Sequence, residues 1–167
     1  MANTMSLIQT LTVGSGGTSS LTFSSIPASY TDLVLTVSAR TNRGSLIDDI
    51  VIKLNSSTSN YGEVNLYAYG TPQTGTSTSL YINCDGDTAT ANTFGSASMY
   101  ICGYASNKYK SITTDWAQEY NGTSAILGFQ AQTWSNTGTI TSIVLTPDAG
   151  TSILQYSSFS LYGVTTS

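Results

Sequence analysis

The sequence predicts an all-β protein, an antiparallel β-sandwich in one domain, and three observations lead there. Only 8% of the residues are charged, against ~25% in ordinary soluble domains, so the Glu, Lys and Arg that clothe surface helices are missing. About a third of the residues are Ser or Thr, and Val, Ile and Tyr are plentiful, a mixture that suits pleated strands. Apolar residues recur with period two in short runs bounded by Gly, Asn, Asp, Ser or Pro, the pattern of half-buried strands. With 167 residues, the chain can bury roughly 70% of its unfolded surface without disulfide or metal staples.

The runs follow in order. Residues 7–13 and 21–24 flank Gly14, Ser15, Gly16 and Gly17, which can supply positive φ to a hairpin turn, and Pro27 stops the second run. Residues 1–6 precede them as either a frayed terminus or an arm onto a neighbour. Leu33, Leu35, Val37 and Ala39 share one face. Ile50, Ile52 and Leu54 point inward with Asp49, Lys53 and Asn55 outward. Val64, Leu66 and Ala68 repeat the pattern with Glu63, Asn65, Tyr67 and Tyr69 opposite. Residues 70–79, rich in Thr, Gly and Pro, lack periodicity and read as a long surface loop.

Later runs are 97–104, with Tyr100 and Tyr104 opposite Met99 and Ile101, then 112–120, 126–134, 140–146 and 153–164. In 112–120 the spacing of Ile112, Trp116 and Tyr120 also fits a helix ended by Asn121 and Gly122, but the Thr-rich start favours a strand. In the last run the apolar parity changes from Leu154 and Tyr156 to Phe159 and Leu161, which implies a β-bulge near Ser157 and Ser158. The total is about ten strands.

Charge and chemistry exclude more than they select. Five basic and nine acidic residues give a net charge of −4, with no cationic field for phosphates, so no nucleic acid partner is expected. Arg40, Arg43, Lys53, Lys108 and Lys110 are scattered among acids and read as solvated surface charge. No apolar run approaches the ~20 residues that span a bilayer, so no membrane partner is expected. Residues 1–6 lack the basic and apolar regions of a secretory signal, which predicts cytoplasmic synthesis. Cys84 and Cys102 have no His or further Cys beside them; two free thiols are the expectation, with a cross-strand disulfide still open.

The absence of His rules out Ser-His-Asp and Cys-His nucleophile systems. Asp115 and Glu119 on one strand would stand ~13 Å apart, outside both glycosidase separations, although a carboxylate pair from distant strands stays open. Asp48 and Asp49, being adjacent, would point oppositely. Asn83, Asp85 and Asp87 around Gly86 resemble half a calcium loop and read more simply as an Asp-Gly turn. No catalytic residue, cofactor or metal follows, and the chain is not expected to be an enzyme. The 11 Tyr are the strongest local sign of a contact surface. Outward tyrosines would be covered by a second packed sheet or a partner subunit, or would form a platform for sugar.

Several longer segments carry a family resemblance. They are Ile8-Gln9-Thr10-Leu11-Thr12-Val13-Gly14-Ser15-Gly16-Gly17, Phe23-Ser24-Ser25-Ile26-Pro27-Ala28-Ser29-Tyr30-Thr31-Asp32-Leu33 and Ser38-Ala39-Arg40. Lys53-Leu54-Asn55 before Ser59-Asn60-Tyr61, Trp134-Ser135-Asn136, Ile140-Thr141-Ser142-Ile143 and Ser160-Leu161-Tyr162-Gly163-Val164 complete them. In these the chain resembles small β-rich virion proteins of tailed bacteriophages, notably cyanophages and marine phages. The resemblance is strongest over 8–61 and 127–164 and looser over about 65–110.

The resemblance implies a jelly roll and a capsid decoration (cement) protein. Such a protein is made in the bacterial host cytoplasm and resides on the virion, where it binds the major capsid protein lattice as a homotrimer. It implies no catalytic residues. Met1, Ala2, Asn3 and Thr4 are then the expected arm, Tyr67, Tyr69 and Tyr104 the expected trimer interface, and the 70–79 segment faces capsid or solvent. The alternative within the resemblance is a tail- or capsid-surface adhesin for host glycan, with Trp116 or Trp134 stacking on sugar rings.

Overall fold

The computed structural model describes residues 4–122 and 124–165. Among these the chain forms β1 (Thr4–Thr12), β2 (Leu21–Phe23), β3 (Asp32–Ala39), β4 (Ile47–Leu54), β5 (Tyr61–Tyr69) and β6 (Thr71–Ser77). It continues through β7 (Leu80–Asp85), β8 (Gly95–Ile101), β9 (Lys110–Glu119), β10 (Ala125–Trp134), β11 (Ile143–Pro147) and β12 (Ser158–Thr165). Two antiparallel sheets result, one ordered β1-β12-β3-β8-β9-β10-β5-β6 and the other β2-β11-β4-β7. Eight strands, β1 to β4, β7, β8, β11 and β12, divide between the sheets as two sets of four, in the orders β1-β12-β3-β8 and β2-β11-β4-β7, which is the jelly-roll path. The hairpins β5–β6 and β9–β10 are inserted into that path and both join the first sheet.

The core follows from the period-two residues. Leu33, Leu35, Ile50, Ile52, Leu54, Leu80, Ile82, Ile143, Leu145, Phe159 and Leu161 have no exposed surface and pack into one cluster between the sheets. Burying each such side chain stabilises the fold by about 1.5–3 kcal/mol. In β3 and β4 the faces are those read from the sequence.

Elsewhere the structure corrects that reading. Thr4, Met5 and Ser6 are not an arm: they belong to β1 and pair with Thr165, Val164 and Gly163. Met1, Ala2 and Asn3 lie outside the described residues. The Gly17 N–H does reach the Gly14 carbonyl at 3.3 Å, with Gly16 and Gly17 at φ +90° and +72°, but the turn leads from one sheet to the other and makes no hairpin.

The 70–79 segment is mostly the edge strand β6. Its sequence lacks alternation because most of its side chains face solvent on both sides, and Pro72 is tolerated at an edge. The parity change in 153–164 comes from a turn closed by Ser157 N–H to the Leu154 carbonyl at 3.2 Å, with Tyr156 at φ +73°, before β12 begins. The register irregularity sits instead in β1, between Leu7 and Gln9.

Two of the presumed surface cations are buried. Arg40, 6% exposed, donates to the carbonyls of Asp87, Ala89, Thr90 and Thr93 at 2.7–3.2 Å. The Lys110 ammonium donates to the carbonyls of Ser106 and Lys108 at 2.6 and 2.5 Å. Both meet the rule that a buried charge needs hydrogen-bonding partners.

Candidate functional site

The β5 strand is turned over relative to its hydrophobic pattern. Tyr61 sets its facing: the ring stacks on Trp134 of β10 (centroids 6.1 Å apart, planes at 25°), and its hydroxyl accepts the Leu54 N–H at 2.9 Å. Because side chains alternate, fixing Tyr61 inward turns Glu63, Asn65 and Tyr67 inward as well. Val64 and Leu66 are therefore 59% and 49% exposed.

On β10 the same holds. Ile126, Gly128, Gln130, Gln132 and Trp134 face in, and Leu127 and Phe129 stand 48% and 58% exposed. Register brings the exposed residues together across β9, β10, β5 and β6. One row is Thr113, Ala131, Val64 and Thr76; the next is Asp115, Phe129, Leu66 and Thr74; the third is Ala117, Leu127, Ala68 and Pro72. Beyond Asp115 the middle row continues as Ser98, Thr36, Ser160 and Thr10. The first row continues instead as Tyr100, Val34, Tyr162 and Leu7, so on the outer face of the large sheet the apolar half on β9, β10 and β5 adjoins a half of mixed hydroxyl and apolar rows.

The polar residues turned inward form a network. Glu63, 5% exposed, accepts from Gln132 Nε2 at 2.8 Å, Asn65 Nδ2 at 3.0 Å and Gln130 Nε2 at 3.5 Å. Thr114 donates to Gln132 Oε1 at 3.0 Å, and Gln132 Nε2 also reaches the Tyr81 carbonyl at 3.1 Å. Beside this network a half-enclosed cleft of about 280 Å³ opens where the large sheet passes the β7 edge of the small sheet. The large sheet lines it with Glu63, Asn65, Tyr67, Trp116 and Gln130 from its inner face, and the small sheet with Asp49, Tyr81 and Asn83 from its outward face. Asn83 Nδ2 donates to Asp49 Oδ1. Burial, then Asp148 and Asp48, push the Asp49 carboxyl up to about 7, against the opposing pull of Arg43. Asn65 Oδ1 and the Trp116 indole Nε1–H have no partner among the described residues.

The side chains singled out from sequence scatter across this geometry. Tyr67 is half-buried at the cleft, and Tyr69 is 50% exposed with its ring against Tyr120 (centroids 4.0 Å apart). Tyr104 has no exposed surface; it lies past the end of β8, donates its hydroxyl to the Pro27 carbonyl and accepts the Tyr30 N–H at 3.3 Å. It is a core residue and cannot meet another subunit. Trp116 and Trp134, 5% and 1% exposed, offer no open face to a sugar, which corrects the stacking role expected of them. Tyr100 does face outward, its hydroxyl bound to Asp32 Oδ2 at 2.5 Å, and that bond first, then burial, pushes it up to about 12.

The carboxylates do not assemble into one centre. Asp115 lies on the outer face and Glu119 accepts from Thr90 N and Oγ1 at 3.1 and 2.8 Å. Asp48 points inward, opposite Asp49, and accepts from Thr41 Oγ1 at 2.7 Å and from the backbone of Ala149 and Gly150. In the Asn83, Asp85 and Asp87 segment, Asn83 turns to Asp49, Asp85 is buried and Asp87 is exposed. Among the described residues no cluster of three or more His, Cys, Asp or Glu is placed to hold a metal. Cys84 is buried, Cys102 is exposed, and both are free thiols.

Sequence reasoning missed both surfaces, since hydrophobic alternation was read as pointing inward on β5. The available signal was Trp134 sharing parity with Gln130 and Gln132: a tryptophan at that end holds the amides inward with it. Comparison with known proteins returns no match to any family model, curated protein or solved structure.

Proposed function

We propose that this chain is a structural protein of a virion, a capsid decoration (cement) protein. In this reading it is made in a bacterial cytoplasm, assembles as a homotrimer and binds the outer surface of the major capsid protein lattice. The observation that carries the reading is the apolar half of the outer face, where Val64, Leu66, Leu127 and Phe129 are roughly half exposed on paired strands. Monomeric soluble proteins rarely leave contiguous apolar surface of this kind uncovered, and it marks protein contact surfaces. The jelly-roll path and the sequence resemblance over 8–61 and 127–164 support the capsid setting.

Mechanically, a trimer presents three copies of one contact. Once the first engages, the others bind at high effective concentration, so modest contacts add to a durable staple. Binding the assembled shell in preference to its dissociated state stabilises the shell by mass action.

The test is to mix purified protein with undecorated capsids and to determine its mass in solution by light scattering. Trimers that saturate capsid sites and raise the shell's disruption temperature are expected. A protein that stays monomeric at every concentration overturns the assembly reading, and one that ignores capsids overturns the capsid reading.

A further inference from the structure

We propose that the cleft at the β7 edge binds one ring of a neutral saccharide. The argument starts from groups that lack partners. Trp116 is 5% exposed, lines the cleft and has an indole N–H without an acceptor. Asn65 lines it too, with its amide Nδ2 committed to Glu63 at 3.0 Å and its Oδ1 without a donor. Gln118, two residues along the same face of β9 from Trp116, leaves both its amide atoms unpaired. A buried polar group without a partner destabilises the fold unless something meets it.

The unmet set contains both a donor and an acceptor, and this selects the ligand. A cation would answer Asn65 and the carboxylates of Asp49 and Glu63 but has nothing to offer an N–H. An anion would answer Trp116 but meets two carboxylates. A hydroxyl group both donates and accepts, and carboxylates bind hydroxyl donors through charge-assisted bonds. A pyranose carries several hydroxyls around a ring whose C–H face suits aromatic neighbours such as Tyr67. The volume, about 280 Å³, lies just below the ~300–1,000 Å³ range of ligand pockets, which suits one ring and not a chain. This site is separate from the proposed assembly surface, being on the opposite face of β5 and β10.

The experiment follows the Trp116 indole N–H by NMR, assigned with Trp116→Phe, while the full chain is titrated with glucose, galactose, mannose, N-acetylglucosamine and rhamnose. Concentrations run to about 50 mM, well past a Kd of ~1 mM. At least one sugar is expected to shift the signal saturably. Asn65→Ala and Tyr67→Ala, each checked for an unchanged melting transition, are expected to weaken that sugar about tenfold, the effect of losing ~1.4 kcal/mol. Thr36→Ala on the outer face is expected to change nothing. If no sugar moves the signal, if calcium moves it and sugars do not, or if binding survives both cleft substitutions, the proposal is overturned. The two variants cover each other should one fail to fold.

Discussion

The indole of Trp116 occupies the space where a side chain at Gly128 would begin. A Cβ at Gly128 would stand 2.2 Å from Trp116 Cζ2 and 2.8 Å from Nε1, and the two residues are register partners on β9 and β10. Glycine in a strand interior ordinarily weakens it; close approach of another group is a reason for its presence.

Gly128→Ala is therefore expected to lower stability by about 1–3 kcal/mol, the usual cost of overpacking, in equilibrium urea unfolding. In a Trp116→Leu background the same substitution should cost less. Equal losses in both backgrounds would mean that the glycine serves something other than the indole.

Val64→Glu and Phe129→Glu place a charge on the apolar half of the outer face. Both side chains are more than half exposed, so protomer stability should change by no more than about 0.5 kcal/mol. Mass measured by light scattering should fall to that of a monomer, while the melting transition of the protomer persists. Unaltered assembly mass in both variants would show that copies meet elsewhere.

Arg40 ties the segment between β7 and β8 to the sandwich through four backbone carbonyls. It also lies beside buried Asp85, whose carboxyl it pulls down against a larger upward push from burial. Arg40→Met should cost about 3–5 kcal/mol, as when one member of a buried charged cluster is removed. Limited proteolysis should then cut first within residues 86–94. A variant as protease-resistant as the parent would show that the segment is held by other contacts.

The folded-state value of about 7 for Asp49 stands above its ordinary 3.8, so the folded chain holds this proton more tightly than the unfolded chain. Its stabilising effect is fully present below about pH 4 and is lost as pH rises through about 7. Buried Asp85 shifts in the same direction. The urea midpoint is expected to decline from about pH 4 to about pH 7, and Asp49→Asn should flatten that decline. A midpoint that climbs over this interval in the parent protein would contradict the assignment.

Much of the fold was legible in the residues. Leu33, Leu35, Val37 and Ala39, and likewise Ile50, Ile52 and Leu54, occupy the faces that period two assigns them, because each strand has one apolar side and two sheets to close over it. The strand at Lys110–Glu119 was legible despite its helical spacing, since Thr-rich segments lose side-chain freedom in a helix and pack well on a pleat. The candidate site was far less legible. Tyr104 read as a contact residue and is core, Trp116 and Trp134 read as platforms and are buried, and residues 70–79 read as loop because an edge strand has no side to hide.

By itself the sequence determined that the chain is all-β, that its strands are short and two-faced, and that no histidine chemistry is available to it. Only the tertiary structure decided which face of β5 and β10 looks inward. Alternation says that two faces differ and not which is covered, and here the stack of Tyr61 on Trp134 settles the matter for both strands. That single packing choice turns Glu63, Asn65 and Gln130 toward a cleft and leaves Val64, Leu66, Leu127 and Phe129 outside. Such a choice depends on pairings between residues 73 positions apart in the chain, 134 − 61 = 73, which local pattern cannot register.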